Sequence, residues 1–256
     1  MNIFVFDIET IPDIESGKKL FDLDGLSDEA VAQALFAKAR EDSGRDFVRH
    51  HLQKVVAISA VFRYKDTLKV WSLGNEDSSE AELIERFFSG IDKFMPTLVS
   101  WNGSGFDLPV LHYRALLHGI AAPKYWEMGD CDSQFKWNNY LNRYHARHLD
   151  LMDVLAAYQG RACASLQDIA VMLGLPGKMG MAGDQVWGAY CRGEQKSIRD
   201  YCESDVLNTY LIYLRFELIR GKLTPEEYAL ECDLLASILK EADQSHLTEF
   251  LNNWKK

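Results

Sequence analysis

The sequence has few features of a chain that is held together by covalent or metal cross-links. Its five cysteines are odd in number and scattered, and no two of them form a C-x-x-C pair. This pattern predicts reduced thiols and argues against a zinc site. No positively charged start followed by an apolar stretch opens the chain, and no apolar run approaches the length that crossing a bilayer requires. We therefore expect a soluble, cytoplasmic protein with no membrane partner.

Basic residues are also in deficit. The 28 lysines and arginines are outnumbered by 38 aspartates and glutamates, which gives a formal net charge of −10. This charge argues against a protein that coats nucleic acid through a general basic surface, although it is compatible with a local site that acts on nucleic acid. With 256 residues, of which 47% are hydrophobic, the chain is long enough to bury a large core.

The first strand carries an acidic pair. Residues 3–6 are apolar on both faces of an extended chain, which predicts a central strand, and Asp7 and Glu9 follow it at a spacing that projects both side chains from one face. Two buried like charges without a partner would be costly, and a divalent cation such as Mg²⁺ or Mn²⁺ would remove that cost. The alternative is a solvated strand end, which a lone D-x-E pattern does not exclude.

The remaining elements predict an α/β protein. A hairpin over 54–64 and 67–73 is expected to pair antiparallel to the first strand, and further strands are expected at 97–101 and 148–151. Helices are expected after the capping residues Ser79 and Thr224 and in much of 165–219. This order favours a mixed five-stranded sheet flanked by helices, with a helical C-terminal part. The polar segment 12–53, in which Ser27 is expected to cap the start of a helix, is interpreted as an insertion or flap.

Two more acidic patterns follow the later elements. Asn102, Phe106 and Asp107 lie in a glycine-broken loop between a strand and a helix, where Asp107 also suits a simple helix N-terminal charge. Tyr201 and Asp205 are one helical turn apart and therefore share a helix face, as an ordinary amphipathic rim would also allow.

In this order, Asp7-Ile8-Glu9-Thr10, Asn102-x-x-x-Phe106-Asp107 and Tyr201-x-x-x-Asp205 resemble the three motifs of the DEDD 3′–5′ exonuclease superfamily, in its tyrosine branch. The chain is similar to the predicted stand-alone exonuclease family that is related to the proofreading domain of family-B DNA polymerases. The histidine branch would require histidine at position 200, where this chain has Asp200.

The resemblance implies a ribonuclease H-like fold and a set of functional residues. Two divalent cations, Mg²⁺ or Mn²⁺, would be held by four carboxylates: Asp7, Glu9, Asp107 and Asp205. Tyr201 would orient the attacking water, and Thr10, Asn102 and Phe106 would line the path of the terminal nucleotide. Asp150 would assist from beside the ion site, with a surface carboxylate at a strand end as the alternative interpretation. The implied activity is hydrolysis of the terminal phosphodiester at single-stranded 3′ ends of DNA or RNA, with DNA favoured and nucleoside 5′-monophosphates as products.

Two segments are candidates for guiding the single-stranded nucleic acid to the site. Residues 136–149 interleave Lys136, Arg143 and Arg147 with aromatic side chains, a composition that suits single-stranded nucleic acid, although an amphipathic helix would explain it equally well. Lys178 lies in a glycine-spaced loop that lacks the Walker spacing. The loop is interpreted either as a phosphate contact through Lys178 or as a plain flexible connector.

The motifs define the domain prediction and its alternatives. Residues 1–220 are predicted to form the exonuclease domain, with 12–53 as the insertion or flap, and 221–256 a C-terminal helical extension packed on the same domain. A non-catalytic nucleic-acid or protein-binding module on a decayed exonuclease fold stays open, as does an exoribonuclease. A phosphatase with an aspartyl nucleophile is disfavoured because it would require D-x-D after the first strand. Whether a polymerase or repair protein is a partner cannot be read from these residues.

Overall fold

The computed structural model describes residues 1–254, whose five strands form one sheet in the order β3-β2-β1-β4-β5. The strands are β1 (Asn2–Pro12), β2 (Gln53–Tyr64), β3 (Thr67–Ser72), β4 (Thr97–Ser100) and β5 (His148–Asp150). β1 lies in the middle, antiparallel to β2 and parallel to β4. The predicted mixed five-stranded sheet and the central position of the first strand are confirmed.

Helices cover both faces of the sheet. They are α1 (Ile14–Phe21), α2 (Asp28–Ser43), α3 (Glu80–Phe94), α4 (Asp107–His118), α5 (Pro123–Trp126), α6 (Leu151–Leu155), α7 (Leu166–Met172), α8 (Val186–Cys191), α9 (Gln195–Ile219), α10 (Pro225–Glu241) and α11 (Ser245–Trp254). Ser27, Ser79 and Thr224 cap α2, α3 and α10 by accepting a hydrogen bond from the backbone N–H three residues on. The helix starts predicted at these residues are confirmed. Within residues 1–254, no helix has both the length and the apolar character that crossing a membrane requires.

Alternating side chains of β1 enter two separate cores, because successive residues of a strand point to opposite faces. Phe6 packs against Phe87 of α3, with ring centroids 5.0 Å apart. On the other face, Val5 joins a core that contains Leu207 of α9 and Phe250 of α11. β1 is therefore buried on both faces, which is why its apolar residues are continuous rather than alternating.

The C-terminal helices α10 and α11 pack on β2, β3 and α9. Arg63 of β2 forms a largely buried ion pair with Glu231 of α10 at 2.8 Å, and the Tyr210 hydroxyl donates a hydrogen bond to the same carboxylate at 3.1 Å. On α11, His246 Nε2 lies 2.8 Å from a carboxylate oxygen of Glu203. These contacts attach the C-terminal helices to the sheet and to α9, and the division into a domain 1–220 and an extension 221–256 stays a prediction.

Segment 12–53 contains α1, α2 and a short 3₁₀ turn at His50–Leu52, and it has a small core of its own built around Val31 and Leu35. Its two ends are joined next to β1 and β2, because the N–H of Asp13 donates to the carbonyl of Leu52 at 2.8 Å. The Asp13 carboxylate also pairs with the buried guanidinium of Arg114 on α4. The segment is therefore a folded part of the domain that is attached next to the end of β1.

Candidate active site

The end of β1 presents Asp7 and Glu9 on the same face, as the extended spacing predicts. One carboxylate oxygen of each, together with the Sγ of Cys202 on α9, lie within 4.8 Å of one another. Glu9 is only 8% exposed. The pairing register with β2 shifts between Glu9 and Thr10, so a bulge bends the strand directly after the acidic pair.

Asp107 joins this pair from the first turn of α4. It is 3% exposed, and its Oδ1 accepts a hydrogen bond from the N–H of Ile8, between the two acids of β1, at 3.2 Å. One backbone bond thus holds the start of α4 against the end of β1. The carboxylate is placed by the tertiary fold, in addition to its position at a helix N-terminus.

The loop before Asp107 is held by Asp150 at the end of β5. Its two carboxylate oxygens accept hydrogen bonds from the N–H groups of Asn102 and Ser104, both at 2.9 Å. A side chain at Gly103 would collide with Ser100, which explains the glycine there. Asp150 is buried, so its interpretation as a strand-end surface carboxylate is wrong, and its role is to position the loop.

Asp205 and Tyr201 reach the same place from α9. They are 6% and 4% exposed. Oδ1 of Asp205 has no hydrogen-bond partner among the described residues, although it is buried. The thiol of Cys202 donates to the backbone carbonyl of Asp7 at 3.4 Å and lies 3.6 Å from its carboxylate, so α9 contacts β1 directly beside the acids.

The four carboxylates are unfavourable as free anions. Burial, together with repulsion from the neighbouring acids, raises the pKa of Asp7 and that of Glu9 well above the usual range. Burial raises the pKa of Asp107 to about 7 and that of Asp205 to about 6. The site fits hard divalent cations such as Mg²⁺ or Mn²⁺, because it combines clustered carboxylate oxygens, one buried oxygen without a hydrogen-bond partner, and carboxyl groups with raised pKa values.

The loop that carries Lys178 is attached to α9. The N–H of Gly177 donates to Oδ1 of Asn208 at 3.1 Å, and the Asn208 amide donates back to the carbonyl of Gly177 at 2.9 Å. The ammonium of Lys178 lies 5.9 Å from the centre of the Tyr201 ring. Its positive charge opposes the upward pKa shifts of Glu9 and Asp205, so the fold brings this cation to the acids.

A cleft of about 850 Å³ opens beside Glu9 and also contains Thr10, Phe106 and Lys178. Three of the sequence-predicted substrate residues therefore meet in one cavity next to the acidic pair. Asn102 instead lines a separate cavity of about 390 Å³. The carbonyl of Asn102 accepts hydrogen bonds from the N–H groups of Gly105 and Phe106, both at 2.9 Å, so this residue also shapes the loop.

The cleft includes residues that sequence reasoning missed, notably Arg45, Phe47 and Trp187. Phe47 packs on Phe106 with ring centroids 5.2 Å apart. No motif marks these positions, and the unusual length of 12–53 was the available signal for Arg45 and Phe47 alone.

Residues 136–147 form turns rather than a helix, so the amphipathic-helix alternative for this segment is wrong. Lys136 lies over the ring of Trp137 at 5.5 Å, and Arg143 pairs with Asp153 at 2.6 Å. Arg147 packs over Phe135 at 4.0 Å. None of the three lines the cleft beside Glu9, and their contact with a strand stays a prediction.

The mixed sheet, its flanking helices and the acids at the end of the central strand are consistent with a ribonuclease H-like exonuclease fold. Residues 45–254 match the family described as "predicted 3′-5′ exonuclease related to the exonuclease domain of PolB", and the chain belongs to this family. The match includes Asp107, Tyr201 and Asp205, whereas Asp7 and Glu9 precede it.

The chain is also similar to the catalytic subunits of DNA polymerase epsilon from three fungi. It is 27% identical to those of Emericella nidulans and Aspergillus fumigatus and 23% identical to that of Saccharomyces cerevisiae, in each case over 150 residues. The aligned region is 55% of this chain and 6% of each polymerase protein. The likeness therefore concerns a small part of those proteins.

Proposed function

We propose that this protein is a metal-dependent 3′–5′ exonuclease that releases nucleoside 5′-monophosphates from the ends of single-stranded nucleic acid, with DNA as the favoured substrate. The observation that carries the proposal is the meeting of buried carboxylates from β1, α4 and α9, one of which keeps an orphaned oxygen. A purely structural cluster of like charges would be costly without a counterion.

In this proposal Asp7, Glu9, Asp107 and Asp205 hold two divalent cations, Mg²⁺ or Mn²⁺. When bound, such ions supply the charge that activates water and stabilises the oxygen leaving the phosphodiester. The carboxylates themselves are held in place by the Ile8 N–H and by the packing of α9 on β1. Little rearrangement is then required when the ions bind.

Tyr201 is proposed to orient the attacking water. Burial, with the neighbouring carboxylates, raises the pKa of its hydroxyl above the usual value, so the group stays protonated at neutral pH. A neutral phenol holds water through a hydrogen bond and does not remove its proton. Lys178, close to the same acids, is proposed to contact a substrate phosphate.

The preference for DNA rests on the similarity to DNA polymerase proteins. An exoribonuclease is the alternative within the same chemistry, because discrimination depends on contacts to the 2′-hydroxyl. A non-catalytic module on a decayed fold is disfavoured by the presence of all four acids and the tyrosine.

The test follows single strands of DNA and RNA with Mg²⁺, with Mn²⁺ and with chelator, using a 5′ label to follow shortening and a label on the internal phosphates to identify the released nucleotides. We expect progressive shortening from the 3′ end and mononucleotide products, abolished by chelator and restored by added metal. Asp7→Asn should lower the rate by orders of magnitude while the protein stays folded, whereas Asp66→Asn, an exposed acid at the β2–β3 turn, should not change it. Full activity in chelator, or a native rate for Asp7→Asn, would contradict the proposal.

A further inference from the structure

The cleft beside Glu9 has two walls that come from different parts of the chain. Segment 12–53 forms one wall with Phe36, Arg45 and Phe47, and the start of α8 with the turn before it forms the other, which includes Trp187. Its volume of about 850 Å³ lies in the upper part of the range of roughly 300–1,000 Å³ that is typical of ligand sites. The acidic centre therefore opens into a space large enough for more than the reacting group.

The first wall exposes an aromatic ring at the entrance to the site. Phe47 is 52% exposed, although its ring contacts Phe106 at 5.2 Å and His50 at 6.2 Å. Across the cleft, Trp187 is partly buried and stacks on Tyr190. Exposed rings that are supported from behind are suitable platforms for stacking bases.

Of the two arginines of segment 12–53 that line the cleft, one is available for a ligand. Arg40 is paired with Asp46 at 2.9 Å, while Arg49, which does not line the cleft, is paired with Asp42 at 3.1 Å. Arg45 forms no ion pair within residues 1–254. Asp184 also lines the cleft, so the cleft has mixed charge and an arginine would act locally on a phosphate.

The wall is fixed relative to the acids. Nε2 of His50 donates to the carbonyl of Gly105, in the loop before Asp107, at 2.9 Å. The buried pair between Asp13 and Arg114 ties the start of the same segment to α4. A nucleotide bound on this wall would therefore lie at a defined distance from the reacting bond.

From this geometry we infer that the cleft is a binding site for the nucleotides that precede the 3′ terminal one in a single strand, with Phe47 and Trp187 stacking on bases and Arg45 contacting a phosphate. The inference rests on the proposed exonuclease function and extends it. Segment 12–53 is then the part of the protein through which it prefers an oligonucleotide to a single nucleotide as substrate.

The experiment compares two phosphodiester substrates that release the same nucleoside 5′-monophosphate and differ in the leaving group. One is the p-nitrophenyl ester of thymidine 5′-monophosphate, which has no preceding nucleotide, and the other is a series of oligothymidylates of increasing length. The variants are Phe47→Ala and Arg45→Gln. Their controls are Trp126→Ala, an aromatic residue of similar exposure that does not line the cleft, and Arg49→Gln, an already paired cation on the same segment.

Phe47→Ala should raise KM for the longer oligonucleotides by about tenfold or more, because base–aromatic stacking is the lost interaction. Arg45→Gln should make the slope of log KM against log salt shallower by about 0.7, the value for one phosphate contact with a single strand. Hydrolysis of the p-nitrophenyl ester and the melting temperature should stay native in both variants, and the two controls should match the wild type with every substrate.

The possible failures are distinguishable. If the wild type hydrolyses neither substrate with Mn²⁺, the proposed function falls and the inference with it. If the wild type hydrolyses both and Phe47→Ala keeps its native KM for oligonucleotides, only the cleft inference is overturned. If Phe47→Ala lost equal activity on the ester and on the oligonucleotides, the inference would also be overturned, because the ring would then act through Phe106 and the loop before Asp107.

Discussion

Two segments of this protein combine basic and aromatic side chains, residues 136–147 and residues 36–47, and the fold treats them differently. In the first, Arg143 is paired with Asp153 at 2.6 Å and Arg147 packs over Phe135 at 4.0 Å. In the second, Arg45 forms no ion pair within residues 1–254 and lines the cleft that contains Glu9. Similar composition thus leaves both arginines of the first segment with internal partners, whereas the second segment keeps one arginine, Arg45, available beside the acids.

The comparison shows that residue type alone does not identify a binding surface. A cation that already has an anionic or aromatic partner must exchange that partner for a phosphate, so its net gain on binding is smaller. Position relative to the reacting centre matters equally, because a platform guides a strand only if it lies on the strand's path. Both properties come from contacts between residues distant in the sequence.

The largest expected effect separates the proposed catalytic step from substrate binding by either segment. Tyr201→Phe should lower kcat by about 10–10³-fold, the cost of losing one preorganised hydrogen bond, while metal affinity and KM for oligonucleotides stay near native. Tyr213→Phe, another buried tyrosine of α9, is the control and should keep its native kcat. A loss of metal affinity in Tyr201→Phe would instead make this residue part of the ion site. Single-turnover kinetics and metal titration provide the measurements.

An intermediate effect is expected from the variant in which Lys136, Arg143 and Arg147 are all replaced by alanine. If all three side chains contacted phosphates, the variant would make the salt slope of binding shallower by about 2. Of the three, only Lys136 has no anion or backbone partner within residues 1–254. We therefore expect the slope to change by about 0.7, the value for one contact. Binding is measured in a salt series with Ca²⁺ in place of Mg²⁺. A change near 2 would show that the internal contacts open on binding, and an unchanged slope would leave the cleft wall as the guiding surface.

The smallest expected effect concerns stability, and it is expected from the acidic centre and not from either of the two segments. Burial raises the pKa of Asp107 to about 7, so the folded protein keeps a proton that the unfolded chain releases at its ordinary pKa. The stability of the metal-free protein should therefore fall as pH rises through this interval. In chelator, Asp107→Asn should raise the melting temperature by a few degrees at about pH 8 and by less at about pH 5.

Saturating Mg²⁺ should remove this advantage, because bound cations favour the ionised carboxylate. The control is Asp66→Asn, whose exposed carboxylate should give the same melting temperature as the wild type at both pH values. An equal gain for Asp107→Asn at both pH values would show that its effect is packing and not charge. Differential scanning fluorimetry measures the melting temperature of each protein at both pH values, in chelator and in saturating Mg²⁺.

Several features of the fold were predictable from local sequence. The continuous apolar residues of β1 indicated a strand buried on both faces, and the capping residues Ser27, Ser79 and Thr224 marked helix starts that the structure contains. The spacing of Asp7 and Glu9 indicated that their side chains share one face. These signals are reliable because strand alternation and helix capping depend on residues only a few positions apart.

Other features of the candidate site required the folded chain. Asp150 resembled a surface carboxylate in the sequence, yet it is buried and holds the loop before Asp107 through two backbone N–H groups. Cys202 lay within a helical apolar face, and only the packing of α9 on β1 brings its thiol to Asp7. Neither contact has a local signature.

The sequence by itself determined the order and type of the elements, the shared face of the first two acids, and the family motifs that group them with Asp107, Tyr201 and Asp205. Tertiary structure alone decided which polar groups surround those acids and which cations stay available. It also made segment 12–53, an uninformative polar stretch in the sequence, into a wall of the cleft at Glu9. The physical reason is that spacing along the chain records local geometry, whereas burial, repulsion and the shape of a cavity depend on contacts across tens to hundreds of residues.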